Sequence, residues 1–258
     1  MDSGAFIDLE RYPLTEPAFL SGCRETVAKH GCCHLPGFLN VNGLRLLTVE
    51  AGTLRADAHH SDRVFNPWYR EPDKTRPATD PRSHTVRFAV GYVARDHLAP
   101  GSPAESLFRL EPVLDFVQHV LDAGALYRFD DSRGSLNYTV MNQGEELGWH
   151  FDECEAVASI ALSGCEGGGR FDYIGPLDGS EAHIDAHVVA ALGGDESDMV
   201  SIDLEPGDFL LFRGRDSLHR VTSVEGVAQR VMLLMSYDNV AARADKNRSD
   251  SALFDSSH

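Results

Sequence analysis

Residues 148–152 read GWHFD, a short run of strand-forming residues that places a histidine and an aspartate two positions apart. In a β-strand, alternate side chains lie on the same face, so His150 and Asp152 can bind one metal ion together. A third ligand must come from a distant strand, and His219 begins another β-rich run 67 residues after Asp152. Two imidazoles and one carboxylate leave three positions of an octahedron open, which suits non-haem Fe(II). The sequence therefore predicts a metal site at His150, Asp152 and His219.

Short β-rich runs surround this motif and are separated by turn residues such as Pro206-Gly207. The runs are 136–141, 148–151, 157–162, 169–174, 200–204, 208–212, 219–224 and 230–237. About eight short strands in about 105 residues predict a jelly-roll-like barrel. The expected fold class is therefore mainly β with flanking helices.

The residues before the barrel predict helices, two strands and a long loop. Apolar residues at helical spacing predict the helices, and alternation predicts the strands. The helices are at 17–29, 41–58 and 111–122, and the strands are at 31–39 and 85–93. The polar, proline-containing stretch 58–81 predicts a loop, and loops of such length are often functional.

These elements predict one domain that spans residues 1–258. We expect residues 1–134 to pack on the outer face of the barrel and residues 135–238 to form the barrel itself. Residues 239–258 are polar and predict a tail.

Composition narrows the possible partners and compartments. The formal net charge of -17 repels phosphate backbones, so we expect no nucleic acid partner. No stretch approaches the roughly 20 apolar residues that span a bilayer, and the acidic start does not resemble a secretory signal. Five cysteines without framework-like spacing favour a reduced, cytoplasmic environment in which most thiols fill the core.

Arg230 follows His219 by 11 residues and precedes an otherwise apolar strand, Val231-Met232-Leu233-Leu234-Met235. A guanidinium in that position can hold the far carboxylate of 2-oxoglutarate through two parallel hydrogen bonds, while the keto acid end chelates iron. The alternative is a surface charge at a strand end.

His150-x-Asp152, His219 and Arg230, together with the turn and strand at 206–212, resemble the Fe(II)/2-oxoglutarate-dependent dioxygenase superfamily. The resemblance covers residues 135–237 and implies a double-stranded β-helix that uses Fe(II), 2-oxoglutarate and O2. Residues 149–152 and 218–221 further resemble the branch of small amino-acid hydroxylases and radical halogenases. That branch implies a small-molecule substrate, a free amino acid or a derivative.

The halogenases of this branch carry glycine or alanine in place of the metal-binding carboxylate, which leaves a coordination position for chloride. This chain has Asp152 there. The difference favours hydroxylation, desaturation or ring formation.

The resemblance also nominates three further site residues. Arg87 would hold the substrate carboxylate, Glu153 would face the substrate, and Tyr138 would donate its hydroxyl to the far carboxylate of 2-oxoglutarate. The alternatives are a surface arginine, a solvated acid in a loop and a core tyrosine.

Two other functions use the same three ligands. A cupin-type isomerase or hydrolase would use the metal as a Lewis acid, and a sensor barrel would only bind it. Neither needs a residue that holds a carboxylate on the strand after His219, so the role of Arg230 distinguishes these two functions from an oxygenase.

Overall fold

The computed structural model describes residues 2–129 and 133–239. Within these ranges the α-helices are α1 (Pro17–His30), α2 (Val41–Leu54), α3 (Pro103–Phe108), α4 (Glu111–Leu121) and α5 (Glu181–Leu192). The strands are β1 (Cys32–Leu35), β2 (His59–Phe65), β3 (Val86–Ala94), β4 (Tyr127–Arg128), β5 (Leu136–Met141), β6 (Glu146–His150), β7 (Ala156–Ser163), β8 (Gly167–Gly168), β9 (Phe171–Ile174), β10 (Val200–Ile202), β11 (Phe209–Phe212), β12 (Leu218–Val221), β13 (Val224–Glu225) and β14 (Arg230–Asp238).

Twelve of these strands form one antiparallel sheet. Its order is β1-β11-β7-β14-β5-β3-β6-β12-β9-β10, with β2 paired to β3 and β4 paired to β14. Strand β3 joins the two halves, because Gly91–Ala94 pair with β5 while Phe88 and Ala89 pair with β6. The sheet thereby curls into a half-barrel, which confirms the predicted mainly β, jelly-roll-like fold with flanking helices.

Strand alternation divides the residues of β5 and β14 between two faces of the sheet. One face packs in the hydrophobic core with residues of α1–α4, and it carries Leu136, Tyr138, Val140, Val231, Leu233, Met235 and Tyr237. The other face lines a cavity, and it carries Asn137, Thr139, Arg230, Met232, Leu234 and Ser236. The position of a residue in this alternation therefore decides whether its side chain reaches the cavity.

Residues 1–134 contribute both helices and strands to the fold. The helices α1–α4 do cover one face of the sheet, but β1, β2, β3 and β4 join the sheet itself. The predicted tail lies outside the described residues beyond Asn239.

The predicted loop 58–81 begins with the strand β2, which pairs with β3 from His59 to Phe65. Most of its side chains are exposed or half-buried, so no apolar alternation marks the strand. The rest of the stretch is a loop with a single 3-10 turn at Pro81–Ser83.

Helix α5 was not predicted. Ser180 caps its N-terminus by accepting a hydrogen bond from the backbone N–H of His183, and Gly193-Gly194 follow its last residue. Val188 and Ala191 pack beside Trp149 at the barrel. The signal was present in the sequence, since a capping serine, a run rich in alanine and two glycines are typical of a short helix.

None of the helices in the described chain combines the length and the apolar content that a membrane crossing requires.

Candidate metal centre and adjoining cavity

Strand pairing brings the two histidines together. His150 ends β6 and lies directly opposite His219 in the antiparallel pair of β6 with β12. Opposed residues in such a pair have closely spaced side chains, and the two imidazole centroids are 4.1 Å apart. Both residues are buried.

The backbone orients both imidazoles in the same way. Nδ1 of His150 lies 2.6 Å from the carbonyl oxygen of Gly148, and Nδ1 of His219 lies 2.8 Å from that of Ser217. A carbonyl oxygen can only accept, so each Nδ1 carries the proton and donates it. Each Nε2 is then left with a lone pair for a metal ion.

Asp152 completes the group from the loop that follows β6. Its Oδ1 lies 3.7 Å from Nε2 of His150 and 3.5 Å from Nε2 of His219. The ligand atoms of all three residues lie within 4.8 Å of one another. Within the described chain, the buried Oδ2 of Asp152 has no hydrogen-bond donor. This set of two imidazoles, one carboxylate and an unsatisfied carboxylate oxygen fits a divalent cation of the first transition series.

The electrostatics of the group favour binding of a cation. Burial, together with the nearby imidazole of His219, lowers the pKa of His150 to about 3, so this imidazole is neutral at ordinary pH. Burial alone would raise the pKa of Asp152, but His219 and His150 lower it, and the net direction is downward. Asp152 is therefore ionised, as a metal ligand must be.

Aromatic rings surround the imidazoles. Tyr69 and Phe88 contact the ring of His150 edge-on, with centroids 5.0 and 5.3 Å away. Phe212 lies 4.8 Å from the ring of His219. Tyr69 belongs to the loop after β2, and the backbone N–H of Phe151 donates to the carbonyl of Pro67 in the same loop. The loop thus covers one side of the group and limits the access of water to it.

Arg230 lies on the wall of the cavity that the three ligand residues share. Its side chain is buried, and burial lowers the pKa of Arg230 to about 10, which leaves it cationic at neutral pH. Its Nη1 lies 3.8 Å from the sulfur of Met141, and no carboxylate of the described residues pairs with it. A methyl at Gly169 would lie 2.9 Å from Cδ of Arg230, so this glycine makes room for the side chain.

The role predicted for Tyr138 does not fit its position. Tyr138 lies on the core face of β5 and donates its hydroxyl to Oε2 of Glu50 in α2, at 2.6 Å. Asn137 and Thr139 face the cavity instead. The sequence Leu-Asn-Tyr-Thr-Val already alternates between apolar and polar residues, and that alternation assigns the tyrosine to the core.

Arg87 also lies away from the cavity. It forms a bidentate pair with Asp62, at 3.0 and 2.8 Å, and donates to the carbonyl of Gly144. The core residues Phe88 and Val90 show that the even-numbered side of β3 faces inward. Arg87 therefore lies on the outer side of β3, a position that does not fit its predicted contact with substrate. Both sides of β3 carry apolar residues, so the sequence alone could not settle the direction.

Glu153 does line the cavity, and it is buried. One carboxylate oxygen lies 3.2 Å from Nη2 of Arg70, on the loop that covers the ligand group. The predicted contact of Glu153 with substrate stays a prediction, now with a position that allows it.

The chain shares its fold with solved enzymes described as non-heme and alpha ketoglutarate dependent, and its three-residue group could hold a metal ion. Residues 78–254, more than half of the chain, match the family model described as Halogenase D. The chain belongs to that family.

Three solved structures illustrate the shared fold. The epimerase SnoN, in complex with Fe3+, alpha ketoglutarate and nogalamycin RO, is 17% identical, with a TM-score of 0.62 over 91% of this chain and 90% of that chain. The carbocyclase SnoK from nogalamycin biosynthesis is 16% identical, with a TM-score of 0.60 over 90% of each chain. A prolyl-4-hydroxylase from Pseudomonas putida is 14% identical, with a TM-score of 0.54 over 85% of this chain and 99% of that chain. No curated protein matches the sequence.

Replacing Asp152 by glycine should weaken binding of a divalent cation by more than about 100-fold, because even changes to residues behind the ligands cost about 10- to 100-fold. The measurement is anaerobic titration with Mn(II), followed by electron paramagnetic resonance. Asp62→Gly, which changes an exposed carboxylate in the Arg87 pair, is the control and should bind Mn(II) normally. Unchanged affinity in Asp152→Gly would remove Asp152 from the metal site.

Replacing Tyr138 by phenylalanine tests the corrected position of this residue. The variant should lose about 1–3 kcal/mol of unfolding free energy, since it loses a buried hydrogen bond to a carboxylate. Its affinity for 2-oxoglutarate should equal that of the wild type. Denaturant unfolding and a 2-oxoglutarate titration measure the two quantities, and a selective loss of 2-oxoglutarate affinity would contradict the assigned position.

Proposed function

We propose that this chain hydroxylates an unactivated C–H bond of a small molecule, a free amino acid or a derivative of one. Fe(II) held at the proposed metal site would supply the oxidising chemistry, in which 2-oxoglutarate and O2 are consumed, one oxygen atom goes to the substrate, and succinate and CO2 are formed. His150, Asp152 and His219 hold the metal, and Arg230 holds the co-substrate. The observation that carries the proposal is the buried Arg230, which shares a cavity with the ligand group.

A buried guanidinium is costly unless an anion meets it. The described residues supply no carboxylate to Arg230, so a ligand anion in the cavity is the partner that its burial favours. A planar guanidinium binds a carboxylate through two parallel hydrogen bonds, and 2-oxoglutarate has a second carboxylate remote from its chelating end. A Lewis-acid isomerase has no comparable use for Arg230, so this residue favours the oxygenase.

Asp152 supports hydroxylation over halogenation. It keeps a carboxylate beside the two imidazoles, whereas the halogenases that the motif resembles carry a small residue there. If the carboxylate of Asp152 occupies this coordination position on the metal, chloride cannot bind there. We therefore propose oxygen transfer for this member of the Halogenase D family.

The rest of the cavity suggests the kind of substrate. Glu153 and Asn137 place two buried hydrogen-bond acceptors on its wall, and within the described chain Oδ1 of Asn137 has no donor. Leu204, Leu210 and Phe212 make other parts of the wall apolar. Acceptors on an apolar wall favour a substrate with an ammonium or another donor group on an apolar body, as in an amino acid.

The function is tested by incubating the protein with Fe(II), ascorbate, 2-oxoglutarate and a panel of free amino acids. Substrate-dependent succinate release, with a product heavier by one oxygen atom, is expected. A product lighter by two hydrogen atoms would identify desaturation or ring closure instead. Absence of 2-oxoglutarate turnover with and without candidate substrates, in protein shown to bind Fe(II), would contradict the oxygenase proposal.

Replacing Arg230 by alanine should raise the Kd for 2-oxoglutarate by about 30- to several-thousand-fold. Loss of a buried charge pair costs roughly 2–5 kcal/mol, and about 1.4 kcal/mol changes affinity tenfold. Arg230→Lys should recover only part, because an ammonium lacks the planar fork. Anaerobic titration of the Fe(II)–2-oxoglutarate absorption band measures the affinity.

The control for this experiment is Arg45→Ala, which removes an exposed arginine on α2. It should bind 2-oxoglutarate as the wild type does. Equal affinity in Arg230→Ala would remove the clamp and favour a Lewis-acid function.

Replacing Asn137 by leucine should raise the KM for the amino-acid substrate found in the panel by about 5- to 150-fold. The range corresponds to loss of a hydrogen bond worth about 1–3 kcal/mol. Asn137→Asp, which keeps an acceptor, should retain binding of a cationic donor. Affinities for Fe(II) and 2-oxoglutarate should stay unchanged in both variants, and an unchanged KM in Asn137→Leu would exclude Asn137 from the substrate contact.

A further inference from the structure

Gly214 approaches the carboxylate of Asp152 more closely than any other residue type permits. It is buried in the turn between β11 and β12. A methyl group at this position would lie 1.9 Å from Oδ2 of Asp152, 2.5 Å from its Cγ and 2.6 Å from its Cβ. Carbon and oxygen atoms do not approach to such distances without bonding, so a side chain at position 214 and the observed position of Asp152 exclude each other.

The backbone cannot easily relieve this conflict, because hydrogen bonds tie the two loops together. The N–H of Asp152 donates to the carbonyl of Gly214 at 2.9 Å. Arg215 donates to the carbonyl of Glu153 at 2.9 Å and to the carboxylate of Glu155 at 3.0 Å. Rotation about the Cα–Cβ bond of Asp152 would relieve the contacts with Oδ2 and Cγ but not the contact with Cβ at 2.6 Å. A methyl at position 214 would therefore displace Asp152 as a whole and strain these bonds.

Displacement of Asp152, with or without rotation of its side chain, would remove Oδ1 from its position 3.5–3.7 Å from the two Nε2 atoms. We infer that Gly214 is a positioning residue, which provides the space in which the Asp152 carboxylate faces both imidazoles and a divalent metal ion. The inference rests on the proposed role of Asp152 as a metal ligand. It assigns to Gly214 a steric role that neither the motif nor the family description contains.

Backbone conformation offers no competing reason for a glycine here. Gly214 does not lie in the left-handed region, in contrast to Gly207 with its φ of 99°. Alanine is therefore compatible with the backbone at position 214, and Gly214→Ala reports on the contact with Asp152.

The test measures Mn(II) binding to Gly214→Ala by electron paramagnetic resonance, and the visible absorption of the Co(II)-loaded protein. We expect affinity for Mn(II) to fall by at least about 10-fold, as for other changes that disturb ligand orientation. The Co(II) spectrum should shift, because the carboxylate leaves its position. Gly164→Ala is the matched control, since a methyl at Gly164 meets no atom within 4 Å, and it should match the wild type in both measurements.

Double variants separate positioning from a general effect on the fold. In Asp152→Gly, the side chain that conflicts with position 214 is gone, so adding Gly214→Ala should change neither Mn(II) affinity nor Tm. In Asp152→Ala, Cβ remains 2.6 Å from the new methyl, so adding Gly214→Ala should lower Tm further.

Two outcomes would overturn the inference while leaving the proposed function intact. One is wild-type Mn(II) affinity in Gly214→Ala when Asp152→Gly has lost affinity. The other is an equal drop in Tm from Gly214→Ala in the wild-type and Asp152→Gly backgrounds. Wild-type affinity in Asp152→Gly itself would instead overturn the metal role of Asp152, and the inference with it.

Discussion

The site depends on the register between β6 and β12, which sets His150 opposite His219. Side chains alternate along a strand, so a slip of one residue would turn His219 to the other face and separate the two imidazoles. Strand β12 is held on both edges, by β6 on one side and by β9 on the other, where Leu218 to Val221 pair with Ile174 to Phe171. Pairing along both edges fixes the register of β12 before any metal ion binds. Asp152, by contrast, lies in the loop after β6, so strand register does not fix its position and other contacts must hold it.

The sequence predicted the features that depend on local pattern. Short apolar runs between turn residues predicted the strands, and the spacing of His150 and Asp152 predicted a shared direction, although Asp152 proved to lie in a loop after β6. Strand direction was harder to predict for Arg87, because both sides of β3 carry apolar residues. For Tyr138 the alternation along β5 already indicated the core face, and the assignment by resemblance did not use it. The importance of Gly214 could not be predicted, because its contact with Asp152 joins segments 62 residues apart and leaves no periodic signal.

Charge balance connects the metal group to Arg230. The ionised carboxylate of Asp152 gives this group a negative charge, and Arg230 gives the same cavity a positive charge. A divalent cation and the dianion of 2-oxoglutarate would add charges that cancel. The low-dielectric wall, which includes Phe212 and Leu210, would penalise any large net charge. Cation and co-substrate therefore suit this cavity better together than either does alone.

The steric role of Gly214 bears on how this chain differs from halogenases with a similar motif. Gly214 leaves room for a carboxylate directly over its backbone, and Oδ2 of Asp152 fills that room without a hydrogen-bond donor from the described residues. Arg215 ties the flanking loops together through Glu155 and the Glu153 carbonyl, independently of the Asp152 side chain. Loss of the carboxylate would thus leave the loops in place and open a space of carboxylate size beside the imidazoles. In the proposed metal site, one side chain would therefore decide between a protein ligand and an external anion at this position.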